Sequence, residues 1–242
     1  MEEPPPAELM SPVEQDVLAR SYAYLQKVVG VIAVALPFGV ALGDWLLDGQ
    51  ALRGSISAYY YGRTGGYFVG SLCALAVFFL SYDYRPRPGH KIDNALSNVM
   101  SAAMIAVALL PTPSQGADAV GAPRLVGYAH KLSAAVVFGL LAVFSLYHFT
   151  KTAGEVTADM SWQRRLLRVF RNDPQHSTAT GNKIKRNKVF RFCGWTIVAC
   201  MVMIAVSDLF HLELVFWLES VAVLAFGFSW LVKGGALFAD QS

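Results

Sequence analysis

Six apolar runs of about twenty residues each dominate this chain: Val28–Leu47, Gly65–Tyr82, Ile92–Leu110, Leu125–Phe149, Val189–Leu209 and Leu212–Val232. A helix that crosses the hydrocarbon core of a bilayer needs roughly 20 mainly apolar residues. Within lipid, backbone donors and acceptors must be satisfied inside the segment or in a closed barrel. These runs are too long and too weakly alternating for barrel strands, so the sequence predicts helices. The expected fold class is all-α: a polytopic membrane protein with six transmembrane helices. Composition agrees, because 55% of the 242 residues are hydrophobic and only 15% are charged, against about a quarter charged in a soluble domain.

The organisation that follows is an N-terminal segment, residues 1–27, and a six-helix domain, residues 28–242, carrying one long basic loop at 151–188. Lysine and arginine resist translocation, so their distribution sets orientation. Sixteen of the 20 fall in the N-terminus, the second loop, the fourth loop and the C-terminus. Only Arg53, Arg63, Arg124 and Lys131 fall on the other side. Both termini are therefore expected to be cytoplasmic, in a bacterial inner membrane or a plasma membrane. The acidic, proline-rich start, with Glu2, Glu3 and Glu8, is unlike a cleavable signal peptide.

Ser11-Pro12-Val13-Glu14 has the form of a capping box with proline at the first helical position, predicting a short helix ahead of the first span. Pro37 lies mid-span, where a missing N–H favours a kink. Gly66, Gly70 and Ala74 recur every four residues and predict a packing face on the second helix. On the third helix Asn94, Asn98 and Ser101 share a face, with Asp93 and Ser97 adjoining, and are expected to face other helices. A polar vestibule that also uses His90 and His148 is the alternative.

In the long loop, Trp162, Leu166, Val169 and Phe170 share a helical face, while Arg164, Arg165, Arg168 and Arg171 cover the rest. That pattern suits a helix lying in the inner interface. With Lys183–Lys188 it forms a basic region that anionic inner-leaflet lipids would attract, unless it serves topology alone. No nucleic-acid recognition fold has room to form. Cys73, Cys193 and Cys200 all lie inside spans, without a CxxC pair.

Arg53–Gly70, "RGSISAYYYGRTGGYFVG", is polar and aromatic between apolar runs, on the predicted outer face. There it joins Asp44, Trp45, His130, Lys131, Asp208, His211 and Glu213. Glu219 lies seven residues past Leu212, the start of the last run, roughly 10 Å deep at 1.5 Å per residue. An acid at that depth is costly unless protonated, paired or beside water. The candidate ligand-binding residues are Arg53, Ser55, Ser57, Tyr60, Arg63, His130 and Glu219.

Two chemistries suit this group. Asp208 and His211, with His130 or Glu219, are candidate ligands for a metal such as zinc that activates water against a lipid ester or amide, with Ser55 or Ser57 near the oxyanion. Alternatively, Arg53 and Arg63 hold a lipid phosphate while the tyrosines sit at headgroup level. Neither HxxxH, HExxH nor GxSxG occurs. Bis-histidine haem and a retinal Schiff base are both disfavoured, because the histidines and the relevant lysines fall near helix ends.

"SISAYYYGRTGGYFVGSLCALAVFFLSY", "DNALSNVMSAAMIAVALLPT" and "AHKLSAAVVFGLLAVFSLYHFTK" follow one another from Ser55 to Lys151. This series resembles the six-helix membrane family that includes the damage-regulated autophagy modulators and the GPI-lipid-remodelling proteins. Ser57, Asn98 and His130 are the best-matching positions, and Ala58 stands where the family pattern has an aspartate. The resemblance implies a six-helix protein concerned with membrane lipids. The reading that results is a protein that binds, senses or helps remodel lipids through an outer-face pocket. A metal-dependent lipid hydrolase or transferase is one alternative, and an ion channel or transporter another. A homo-oligomer is compatible with the sequence.

Overall fold

The computed structural model describes residues 11–49, 52–81, 90–112, 124–150 and 181–237. They form an all-α bundle with no strand among the described residues. Its helices are α1 (Pro12–Asp48), α2 (Gly65–Ser81), α3 (His90–Leu109), α4 (Arg124–Val143), α5 (Gly181–Phe210) and α6 (Val215–Lys233). A 3-10 turn, Ser57–Tyr61, precedes α2, and a π-helical turn, Phe144–His148, continues α4. The amphipathic helix expected around Trp162–Arg171 lies outside the described residues.

Four of these helices are long and apolar enough to cross a membrane: α1, α4 with its π turn, α5 and α6. The shorter α2 and the Asp93–Leu109 part of α3 are also apolar. The observed bounds of α2, α3 and α6 fall within three residues of the apolar runs. Helix α1 extends well beyond its run: its 37 residues reach about 55 Å at 1.5 Å per residue. The expected short leading helix is thus the first part of one continuous helix that runs through Pro37. Both halves of the Ser11–Glu14 capping box are present. Lys183–Lys188 forms part of the first turns of α5, not a loop.

Each helix packs on its sequence neighbours, and α6 returns to α1, closing a ring. The α1–α6 crossing depends on glycine. A β-carbon added at Gly30 would lie 2.8 Å from the Gly227 carbonyl oxygen, and one at Gly227 would lie 2.9 Å from that of Gly30. Seven residues further on, about two turns at 3.6 residues per turn, Gly234 sits against Ala23, which makes the two helices antiparallel and brings the N-terminal part of α1 to the C-terminal end of α6. The outward surface is rich in large apolar side chains, among them Phe38, Val77, Leu132, Phe192 and Leu209. Such extensive apolar exposure suits lipid contact and is unusual in a soluble monomer.

Two expected packing faces are turned differently. Gly66, Gly70 and Ala74 are exposed, and nothing lies within 4 Å of a β-carbon added at either glycine. The buried face of α2 is instead built from Phe68, Leu72, Leu75, Ala76 and Phe79. On α3, Asn98 is exposed and Asn94 only half-buried, whereas Ser97 and Ser101 are buried. Apolar side chains suit both lipid and the bundle interior, so polarity alone did not fix the rotation of either helix.

At the end opposite the 3-10 turn, aromatic rings fill the centre. Trp230, fully buried, meets Phe78, Phe79, Phe149 and Phe226 at centroid distances of 5.0–6.0 Å. Beside them His148 Nε2 lies 2.8 Å from Asp93 Oδ1, and its ring stacks on Phe144 at 4.6 Å. The π turn, closed by Phe149 N–H donating to the Phe144 carbonyl at 3.0 Å, places His148 there.

Candidate functional site: a cavity beneath the 3-10 turn

Residues 52–61 have no long helix, so their backbone groups need partners from neighbouring elements. Helix α6 provides two. The Gly54 carbonyl accepts from Phe216 N–H at 2.9 Å, and Ile56 N–H donates to Glu219 Oε2 at 2.7 Å. Ala58 N–H donates to Ser55 Oγ at 3.1 Å, and Ser55 Oγ lies 3.2 Å from Ser57 Oγ. The segment is thereby fixed across the end of the bundle.

Asp44, near the C-terminal end of α1, organises its other side. Its carboxylate, 1% exposed, accepts from Arg53 Nε at 2.8 Å and from the Arg63 backbone N–H at 2.8 Å. A β-carbon at Gly62 would run into the same carboxylate. The Arg53 guanidinium carbon lies 5.7 Å from the centre of the Tyr59 ring, and Arg53 N–H donates to the Tyr59 hydroxyl at 3.3 Å. Burial pushes the Tyr59 hydroxyl above its ordinary range. Thr64, at the start of α2, donates to the Val40 carbonyl at 3.2 Å.

The three consecutive tyrosines have separate surroundings. Tyr59 is buried against Phe216, with ring centroids 5.9 Å apart. Tyr60 packs partly against the core. Tyr61 is exposed and donates to the Thr112 carbonyl at 2.8 Å, tying the turn to the end of α3.

Beneath this cover lies a partly open cavity, with about 620 Å³ of empty space among its walls when the part open to solvent is included. It is walled by α1 (Ala33, Leu36), α2 (Phe68, Leu72, Leu75), α3 (Met104, Val107), α4 (Ala134, Val137, Phe138, Leu141) and α6 (Val223, Phe226). The polar contributors are Ser57, His130 and Glu219. From His130 to Leu141 the α4 wall is about 16 Å long at 1.5 Å per residue. Phe226 belongs both to this wall and to the aromatic cluster around Trp230, which forms the floor.

His130 is 4% exposed, and its Nδ1 lies 2.7 Å from the Leu110 carbonyl oxygen at the end of α3. A carbonyl only accepts, so Nδ1 carries the hydrogen and, in the neutral ring, Nε2 is an acceptor. Ser57, His130 and Glu219, drawn from three distant parts of the sequence, thus contribute to one chamber. Ser55 supports Ser57 from behind.

The remaining expected residues lie elsewhere. Arg53 is held by Asp44, and Arg63, exposed, points toward Asp48 at 3.9 Å. Neither arginine lines the cavity. Asp208 pairs with Lys131 at 2.6 Å, both about half-exposed. His211 is exposed in the turn between α5 and α6, at φ 53. Among the described residues no three His, Cys, Asp or Glu side chains come together as a metal site. The proposed donor set of Asp208 and His211 with His130 or Glu219 is therefore not assembled.

Asp44 is the organising residue that sequence reasoning placed only among the polar residues of this face. Its one available signal was an acid near the end of a span, four residues before Asp48. Fold and site together define a helical bundle of membrane-protein character with an internal, mostly apolar chamber. No family model, curated protein or solved structure matches the chain.

Proposed function

We propose that this is an integral membrane protein that binds a lipid-like amphiphile within its helical bundle, the apolar tail between the helices and the polar head at Ser57, His130 and Glu219. One observation carries the reading: the cavity is almost wholly apolar along its walls and polar at the end beneath the 3-10 turn. That distribution matches the two ends of an amphiphile. The resemblance of Ser55–Lys151 to a lipid-remodelling membrane family supports the same reading. The arginine and lysine distribution supports a chamber on the outer side, with both termini cytoplasmic.

The hydrolase alternative draws less support, since its metal donors stand apart and His130 Nδ1 is directed to the Leu110 carbonyl. A conduction path would have to pass the packed rings of Phe79, Phe226 and Trp230. The test is mass-spectrometric lipid analysis of the full chain purified in a mild detergent, beside Ala134→Trp and Val137→Trp. The wild type is expected to retain a lipid near one per chain, and the filled variants to lose it. A wild type without lipid, or folded variants that retain it, would overturn the reading.

A further inference from the structure

The chemistry at the polar end narrows the class of ligand. We infer that the cavity selects an amphiphile whose head donates hydrogen bonds, an alcohol or an ammonium, over one with an anionic phosphate head. This rests on the proposed function. Glu219 Oε2 is occupied by the Ile56 amide, while Oε1 has no hydrogen bond among the described residues. In its ionised form this group can only accept. His130 has its Nδ1 hydrogen engaged by Leu110, so the neutral ring also offers an acceptor through Nε2. Ser57 is the adaptable member, because its hydroxyl and that of Ser55 can each donate to the other.

The cationic side chains at this end of the bundle do not line the chamber. Arg53 is bound to the buried carboxylate of Asp44, Arg63 is directed to Asp48, and Lys131 to Asp208. A phosphate head entering the chamber would meet the Glu219 carboxylate and the His130 lone pair without a described cation lining it. Like charge and unmatched acceptors both oppose that arrangement. A hydroxyl, by contrast, can donate to Glu219 or His130 while accepting from Ser57. An ammonium can donate to both acceptors and gains from the carboxylate charge.

The experiment uses the purified full chain above pH 7, preloaded with a fluorescent alkyl probe. It measures displacement by four single-chain competitors of equal chain length: an alkyl alcohol, an alkyl amine, an alkyl phosphate and an alkane. The alcohol or the amine, or both, is expected to compete about tenfold or more better than the phosphate and the alkane, the size of one or two good hydrogen bonds. Glu219→Gln keeps an acceptor oxygen but removes the charge, so a loss confined to the amine identifies an ammonium ligand. His130→Asn can keep a donor near the Nδ1 position for Leu110 but loses the Nε2 acceptor. It should weaken the alcohol several-fold with little loss of thermal stability.

Equal competition by all four would leave the apolar cavity standing and overturn the head-group selection, as would preference for the phosphate. If the probe does not bind and none of the competitors raises the thermal midpoint, the cavity reading itself fails together with this one.

Discussion

Glu219, one turn into α6, accepts a hydrogen bond at 2.7 Å from the backbone amide of Ile56, 163 residues earlier in the chain. This bond joins the cover of the cavity to its wall. It also gives the deep acid a fixed partner, so Glu219 orients the segment that carries Ser57 as well as presenting an oxygen to the chamber.

The two roles separate by substitution. Glu219→Gln retains a carbonyl oxygen for Ile56 and should leave the thermal midpoint nearly unchanged. Glu219→Leu leaves the Ile56 N–H without its acceptor and should cost about 1–3 kcal/mol. Thermal unfolding in detergent, followed by tryptophan fluorescence, distinguishes them. Equal stability of the two variants would show that the bond does not hold the cover.

Asp44 and Asp208 make ion pairs of similar length in different surroundings. Asp44 is 1% exposed and also satisfies the Arg63 amide, whereas Asp208 and Lys131 are 50% and 58% exposed. Asp44→Ala should cost about 2–3 kcal/mol, below the full value for a wholly buried pair because Arg53 keeps some solvent contact. Asp208→Ala should cost under about 1 kcal/mol, and that loss should fade with added salt. A larger loss at Asp208 than at Asp44 would reverse their assigned importance.

Glycines on α6 and α2 make a third contrast. An alanine at Gly227 would meet the Gly30 carbonyl oxygen at 2.9 Å and the Val34 amide nitrogen at 3.0 Å, and neither backbone atom can move aside cheaply. Gly227→Ala is expected to open the crossing and cost more than about 2 kcal/mol. Gly70→Ala has open space and gains helix propensity, so it should be neutral or slightly stabilising. Cysteine crosslinking across the α1–α6 crossing, with thermal unfolding, reads both effects.

The elements were more legible than their rotations. Long apolar runs locate helices because the bilayer requires both the length and the hydrophobicity, and the capping box at Ser11 marks a start by local hydrogen bonding. The side of a helix that faces its neighbours leaves a weaker trace. Gly70 and Asn98 face outward while Phe79 and Ser97 face inward, and lipid accepts small and apolar groups as readily as the interior does. Ser57, His130 and Glu219 were recognisable as unusual in or beside a span. Arg53 and Arg63 were recognisable only as cations, because their choice of Asp44 and Asp48 depends on how the end of α1 meets the following turn. The apolar walls of the chamber carry no sequence mark separating them from the closed core.

At the other end of the bundle, His148 and Asp93 couple α3 to the π turn. The His148 side chain is 2% exposed and that of Asp93 15%. Asp93→Ala should destabilise by about 1–3 kcal/mol, and Asp93→Asn by less, since an amide oxygen can still accept from the ring. Neither substitution should alter probe binding in the distant cavity. A selective loss of binding at full stability would show that the two ends are coupled.

Filling the chamber should separate binding from stability. Val137 borders open space, so Val137→Phe can place its ring in the cavity with little strain and should hold the thermal midpoint within about 1 kcal/mol of wild type. The same ring occupies the space assigned to an alkyl tail, so probe binding should fall about tenfold or more. Phe79 has no such freedom, being fully buried among Phe144, Phe226 and Trp230. Phe79→Ala removes the floor and should cost about 3–5 kcal/mol. Paired unfolding and displacement measurements test the contrast: a stable Val137→Phe protein that still binds the probe at wild-type strength would place the tail somewhere other than between these helices.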